Sequence, residues 1–141
     1  MISLLLVRHA DIDLPPVADN PTLNPAGKDR ADKLARVASA AGISAIFTSS
    51  ITRTKETAAP LAAKLGWMPQ VIPATPEFVT NVRAGAYGPV VLVVGHSNTV
   101  PPLIDALMKT TSSIAIGENE FDNLFIVSVM SDDAQLLRMK Y

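Results

Sequence analysis

The sequence predicts an α/β fold, a single domain over residues 1–141 with a mostly parallel central sheet and helices on both faces. Three observations lead there. Ile2 to Val7 and Val90 to Val94 are unbroken apolar runs of branched residues, the pattern of strands buried on both faces. Strand and helix patterns alternate along the chain, the order that produces a parallel sheet with crossover helices. The length of 141 residues is close to that of one domain with a core of ordinary size.

Ile2 to Val7 is the first strand and Val90 to Val94 the second central one. Asn24 can cap, and Pro25 can open, a helix running to about Ala41. Its inner face carries Ala31, Leu34, Ala35 and Ala38, and Gly42 stops it. Ile43 to Phe47 reads as a strand. A second helix starts just after Ser49-Ser50, turns Ala58, Leu61, Ala62 and Leu65 inward and ends before Gly66, with Pro60 predicting a kink. Val71-Ile72 is a short strand between Pro69 and Pro73, followed by an irregular stretch from Ala74 to Phe78. Gly85 to Pro89 turns into the central strand, and a third helix begins near Asn98 or Thr99 with Pro101 and Pro102 in its first turn. Leu124 to Met130 is a further strand, and Leu136 to Met139 closes the sheet at an edge.

Composition narrows the function classes. Apolar residues make up 48% and charged residues 18%, against a usual ~25%, so the chain is neither a disordered tail nor a polar linker. Twelve basic and thirteen acidic residues leave a net charge of -1, without the broad positive field that non-specific nucleic-acid or membrane-surface binding requires. The absence of cysteine removes disulfides, thiolate metal sites and a cysteine nucleophile. Two histidines cannot make a three-histidine zinc site. No apolar run approaches the ~18 residues of a membrane span. Leu4 to Val7 is shorter than a signal-peptide core and runs directly into Arg8-His9, which predicts a cytoplasmic protein.

In open α/β sheets ligands bind beyond the carboxyl ends of the strands. Both histidines fall there: His9 after the first strand and His96 after Val90 to Gly95. Arg8 precedes His9, and Arg53 lies in the first turn of the helix after Ile43 to Phe47. Two arginines and two histidines at an edge where helix N-termini also point describe an oxyanion pocket. A neutral imidazole there can attack phosphorus, and flanking arginines favour the neutral form while stabilising the charge of in-line transfer.

Leu6-Val7-Arg8-His9-Ala10 resembles the Arg-His signature of the histidine phosphatase superfamily, also called the phosphoglycerate mutase-like family. Leu23-Asn24-Pro25-Ala26-Gly27 resembles its Leu-Thr-x-x-Gly helix start, with Asn in place of Thr. The segment from Thr48 to Ala58 resembles its Thr-Ser-x-x-x-Arg-x-x-x-Thr-Ala block, and Val93 to Asn98 its second-histidine segment. The resemblance implies a phosphoglycerate mutase-like fold and transient phosphorylation of His9. It further implies phosphoryl binding by Arg8, Arg53 and His96, a backbone donor at Ser97, and no metal or other cofactor. The substrate class so implied is a phosphorylated small molecule or a phosphoprotein. The short length is closest to bacterial members similar to the SixA phosphohistidine phosphatases, with an open pocket. A phosphatase is the first reading; a non-catalytic phosphate-binding module and a phosphoglycerate-type mutase are the alternatives.

The leaving-group acid is the weakest match. Between Arg53 and His96 the carboxylates are Glu56 and Glu77, of which Glu77 is the better placed, and Asp11 is its rival. Glu118, Glu120 and Asp122 either line the mouth of the site or solvate a loop.

Overall fold

The computed structural model describes residues 1–112 and 114–141. Six strands, β1 (Ile2–Arg8), β2 (Ala45–Thr48), β3 (Gln70–Val71), β4 (Val90–Gly95), β5 (Asn123–Val129) and β6 (Ala134–Lys140), form one sheet in the order β3-β2-β4-β1-β5-β6. β3, β2, β4 and β1 are parallel, while β5 runs antiparallel to β1 and β6 antiparallel to β5. Three helices, α1 (Pro25–Ala38), α2 (Thr52–Leu65) and α3 (Thr75–Arg83), connect the parallel strands, and a fourth, α4 (Val100–Met108), leads from β4 to the antiparallel β5.

The two apolar runs are the two innermost strands, and their side chains alternate between two cores. Leu4 and Leu6 of β1 join Val91 and Val93 of β4 beneath α3 and α4, where Phe47, Phe78 and Leu107 are buried. Leu5 and Val7 face the other way with Leu92 and Val94, against Leu34 of α1 and Ala58 and Leu61 of α2. A strand covered on both faces has no solvent side, so the pattern loses its alternation of polarity and reads as a continuous run.

Local signals set the helix ends. The Asn24 side chain accepts the Gly27 N–H at 2.8 Å and Pro25 follows in the first turn, so α1 starts where the sequence places it. It stops at Ala38, three residues before the predicted end, with Gly42 in the connection beyond. α2 ends on Gly66 at φ 71°, and it runs through Pro60 without a break in the helix. The stretch from Ala74 to Phe78, expected to be irregular, instead opens α3. The nine-residue α3 buries only Phe78 and Val82, one turn apart, which is too short an apolar stripe to announce a helix.

Gly27 has a second reason to be glycine. A Cβ there would lie 2.1 Å from the Asp11 carbonyl oxygen, because α1 packs directly onto the backbone that follows β1. Helix propensity alone favours alanine by ~1 kcal/mol. Gly27→Ala is nevertheless expected to destabilise the fold by at least ~2 kcal/mol, since the clash is with main chain. Chemical denaturation checks it, and a variant as stable as the parent contradicts the close approach.

Candidate active site

The carboxyl ends of β1, β2 and β4 deliver Arg8 and His9, Ser49, and His96 to one edge of the sheet. The antiparallel β5 starts at that same edge, so the loop before it also faces the site. His9 continues the ladder through its N–H to the Gly95 carbonyl (2.8 Å), which locks the first histidine beside the strand that leads to the second. The two imidazole centroids lie 5.4 Å apart, and Phe121 is 5.9 Å from His9.

His9 is 3% exposed, and its Nδ1 lies 2.8 Å from the Ala10 carbonyl. A carbonyl only accepts, so Nδ1 carries the proton and Nε2 keeps the lone pair. The Ala10 peptide is itself held, because its N–H donates to Thr57 Oγ1 at 2.8 Å while the Thr57 hydroxyl donates to the Arg53 carbonyl. Burial, together with the charges of Arg8 and Arg53 and with His96, lowers the His9 pKa from 6.5 to about 4, against the Ala10 hydrogen bond, which raises it. His96 is lowered for the same reasons, burial first and then Arg53 and Arg8. Both rings are therefore neutral near pH 7.

Arg8 is immobilised from one side. Its Nη1 donates to the carbonyls of Gly117 (3.1 Å), Glu118 (2.8 Å) and Glu120 (2.9 Å), and its guanidinium lies 4.1 Å from the centre of the Phe121 ring. Burial first, and then the charge of Arg53, depress its pKa. The Nε atoms of Arg8 and of Arg53 are both buried without a hydrogen-bond partner. Two buried cationic donors lacking acceptors are a costly arrangement in an isolated fold. An oxyanion supplies what both require.

His96 Nε2 lies 2.8 Å from Ser49 Oγ, which lies 2.8 Å from Thr54 Oγ1; the Thr54 hydroxyl also reaches the Ile51 carbonyl. Ser49, Thr54 and Thr57 thus orient the histidines. The sequence assigns these residues no role of their own, because their partners lie up to 47 positions away. Ser97 is half-buried in the turn after His96.

The predicted carboxylates scatter. Glu77 is exposed on the first turn of α3, three residues past Ala74, which lines a cavity beside His96. Asp11 is tied to Arg30 by an ion pair of 2.6 Å. Glu56 is half-buried on α2, lining a depression shared with α1. Glu120 binds Arg138 and Lys140 through one oxygen and accepts the Gly117 N–H through the other; the Gly117 hydrogen bond first, and then Lys140, lower its pKa to about 2, and Asp122 also pairs with Lys140. Those two carboxylates brace the loop whose carbonyls clasp Arg8. Among the described residues no group of three histidine, aspartate or glutamate side chains is placed to hold a metal ion, and no helix is long and apolar enough to cross a membrane.

The family model of the histidine phosphatase superfamily (branch 1) matches residues 4–78, more than half of the chain. The protein belongs to the histidine phosphatase superfamily. A search of curated proteins returns no match. Among solved structures, the fold is similar to the protein histidine phosphatase SixA complexed with tungstate (TM-score 0.78, 17% identity, 99% of this chain and 97% of that one). It is also similar to the alpha-ribazole phosphatase from Shigella flexneri (0.82, 12%, 99% and 96%). A third similar structure is the mycobacterial glucosyl-3-phosphoglycerate phosphatase in complex with VO3 (0.78, 14%, 100% and 99%). This histidine phosphatase superfamily member therefore has the phosphoglycerate mutase-like fold that its motifs imply.

The depressed pKa of His9 has two readable consequences. An NMR titration of its imidazole is expected to show a midpoint of about 4 rather than 6.5. Between those values the unfolded chain binds a proton that the folded one refuses, so stability falls as pH drops through this window. His9→Gln removes that contribution to the slope. A His9 midpoint at or above 6.5 contradicts the buried, neutral assignment.

Proposed function

We propose that this protein is a metal-independent phosphatase that hydrolyses a phosphomonoester or a phosphohistidine through a phosphohistidine intermediate on His9. The observation that carries the reading is the pairing of a neutral His9, with Nδ1–H committed to Ala10, and two buried arginine Nε–H donors without acceptors. Nucleophile and oxyanion donors are thus present together, both set before substrate arrives.

Arg8 and Arg53 hold the phosphoryl oxygens, with His96 and the Ser97 backbone as further donors. The Nε2 lone pair of His9 attacks phosphorus as the bond to the leaving oxygen or nitrogen breaks in line. The leaving group takes a proton from solvent or from a carboxyl group, for which Glu77 is the candidate, and water then attacks the phosphohistidine, releasing dihydrogen phosphate and returning neutral His9. The arginines stabilise the charge on the equatorial oxygens in both steps. Tungstate and vanadate in two of the similar structures are oxyanions of the same kind, which supports this use of the pocket. The names of the similar enzymes cover a protein phosphohistidine and small esters, so the substrate proposed is a phosphoprotein or a phosphorylated small molecule, met in the cytoplasm.

The test is p-nitrophenyl phosphate hydrolysis with and without a chelator, together with trapping of the intermediate under non-acidic quench. Turnover that survives the chelator and label on His9 but not on His96 is expected. Label on His96 alone reverses the assignment, and phosphate or vanadate binding without turnover makes the protein a binding module.

A further inference from the structure

Beside His96 the fold encloses a cavity of about 190 Å³. Its walls are Ile72 and Pro73 after β3, Val93 of β4, and Val100 and Leu103 of α4. Ser49, Thr75, His96 and Thr99 add the polar part of the lining, and no carboxylate, lysine or arginine takes part among the described residues. A larger depression of about 460 Å³ adjoins Arg53, where residues 12–21 contribute Asp19 to its wall. The two differ in chemistry. The first is apolar and more enclosed; the second is open and carries charge of both signs.

An apolar recess that ends on a phosphate-binding histidine has a physical use. The anionic phosphoryl group remains with the arginines, while a substituent on its ester oxygen or nitrogen gains by leaving water. An apolar cavity of about 150 Å³ suffices for one benzene ring, so this one admits a single ring or a short branched alkyl group. A carboxylate would lose its hydration without finding a cation there.

We infer that the cavity lined by Ile72, Pro73, Val100 and Leu103 is a substrate subsite for a small uncharged apolar substituent of the phosphate compound. The inference rests on the phosphate-binding reading of the adjoining site and adds the substrate class to it. The lack of a lysine or arginine in its wall argues against a carboxylated substituent in this recess.

Phosphonates test the subsite without requiring turnover. Phenylphosphonate is expected to bind about 10- to 100-fold more tightly than methylphosphonate by calorimetry, the factor that burying a ring of this size supplies. Ala74 is exposed at the first residue before α3 and lines the cavity, so Ala74→Phe fills it without entering the core. That variant is expected to bring phenylphosphonate down to the affinity of methylphosphonate, with methylphosphonate binding unchanged as evidence of an intact site. Ala74→Leu, a smaller filling, should give an intermediate loss. Equal affinities for the two phosphonates in the parent, or a preference that survives both variants, overturns the subsite while leaving the phosphate site standing. If neither phosphonate binds the parent protein, the phosphate-binding reading falls and the subsite with it.

Discussion

Replacing His9 with alanine is expected to lower phosphate-ester turnover by about 10⁴- to 10⁶-fold, the scale of losing a nucleophile that works with its surroundings as one unit. Oxyanion binding should persist. The donors proposed to hold phosphate are the Nε–H groups of Arg8 and Arg53, and Arg8 is fixed without the imidazole, by three carbonyls of the 117–120 loop and by Phe121. His9 is buried against Phe121 and His96, so His9→Asn is the companion variant that keeps more of the volume. Both variants should bind vanadate within a few-fold of the parent and both should fail to turn over. Vanadate binding lost with thermal stability retained would show that His9 organises the pocket rather than attacking phosphorus. Residual turnover within tenfold of the parent would remove His9 as the nucleophile.

The same geometry explains what could be read in the chain and what could not. β1 and β4 were legible because burial on both faces writes itself as an apolar run, and the residues just past such runs, Arg8-His9 and His96, sit at the functional edge by topology alone. The cap of α1 was legible because Asn24, Pro25 and Gly27 are local chemistry. Other parts depend on long-range contacts. The clasp on Arg8 comes from carbonyls more than 100 residues away, and any residue type supplies a carbonyl, so no side-chain pattern records it. Thr57 looks like an ordinary helix residue until its hydroxyl is found accepting the Ala10 N–H. α3 was missed because two buried residues are its whole apolar stripe. That miss matters, since it moves Glu77 from an irregular loop to the exposed first turn of a helix.

The effect of Glu77 is therefore expected to be selective by substrate. A general acid matters in proportion to how poor the leaving group is: an alkoxide must be protonated as it departs, whereas nitrophenolate leaves with much less help. We expect Glu77→Gln to slow alkyl phosphate hydrolysis by about 10²- to 10⁴-fold, the contribution of a positioned proton donor, while leaving p-nitrophenyl phosphate nearly untouched. Glu77 stands one turn from Ala74, which lines the cavity beside His96. Asp11 is differently committed. Its carboxylate is engaged by Arg30 at 2.6 Å, which ties the loop after β1 to α1. Asp11→Asn should accordingly lower the unfolding midpoint without separating alkyl from aryl esters. If the kinetic effects are exchanged between the two variants, Asp11 is the donor and its pairing with Arg30 must open during turnover. If neither variant distinguishes the ester classes, the enzyme has no dedicated acid, and its substrate is one whose leaving group departs unaided, as the imidazole of a phosphohistidine does.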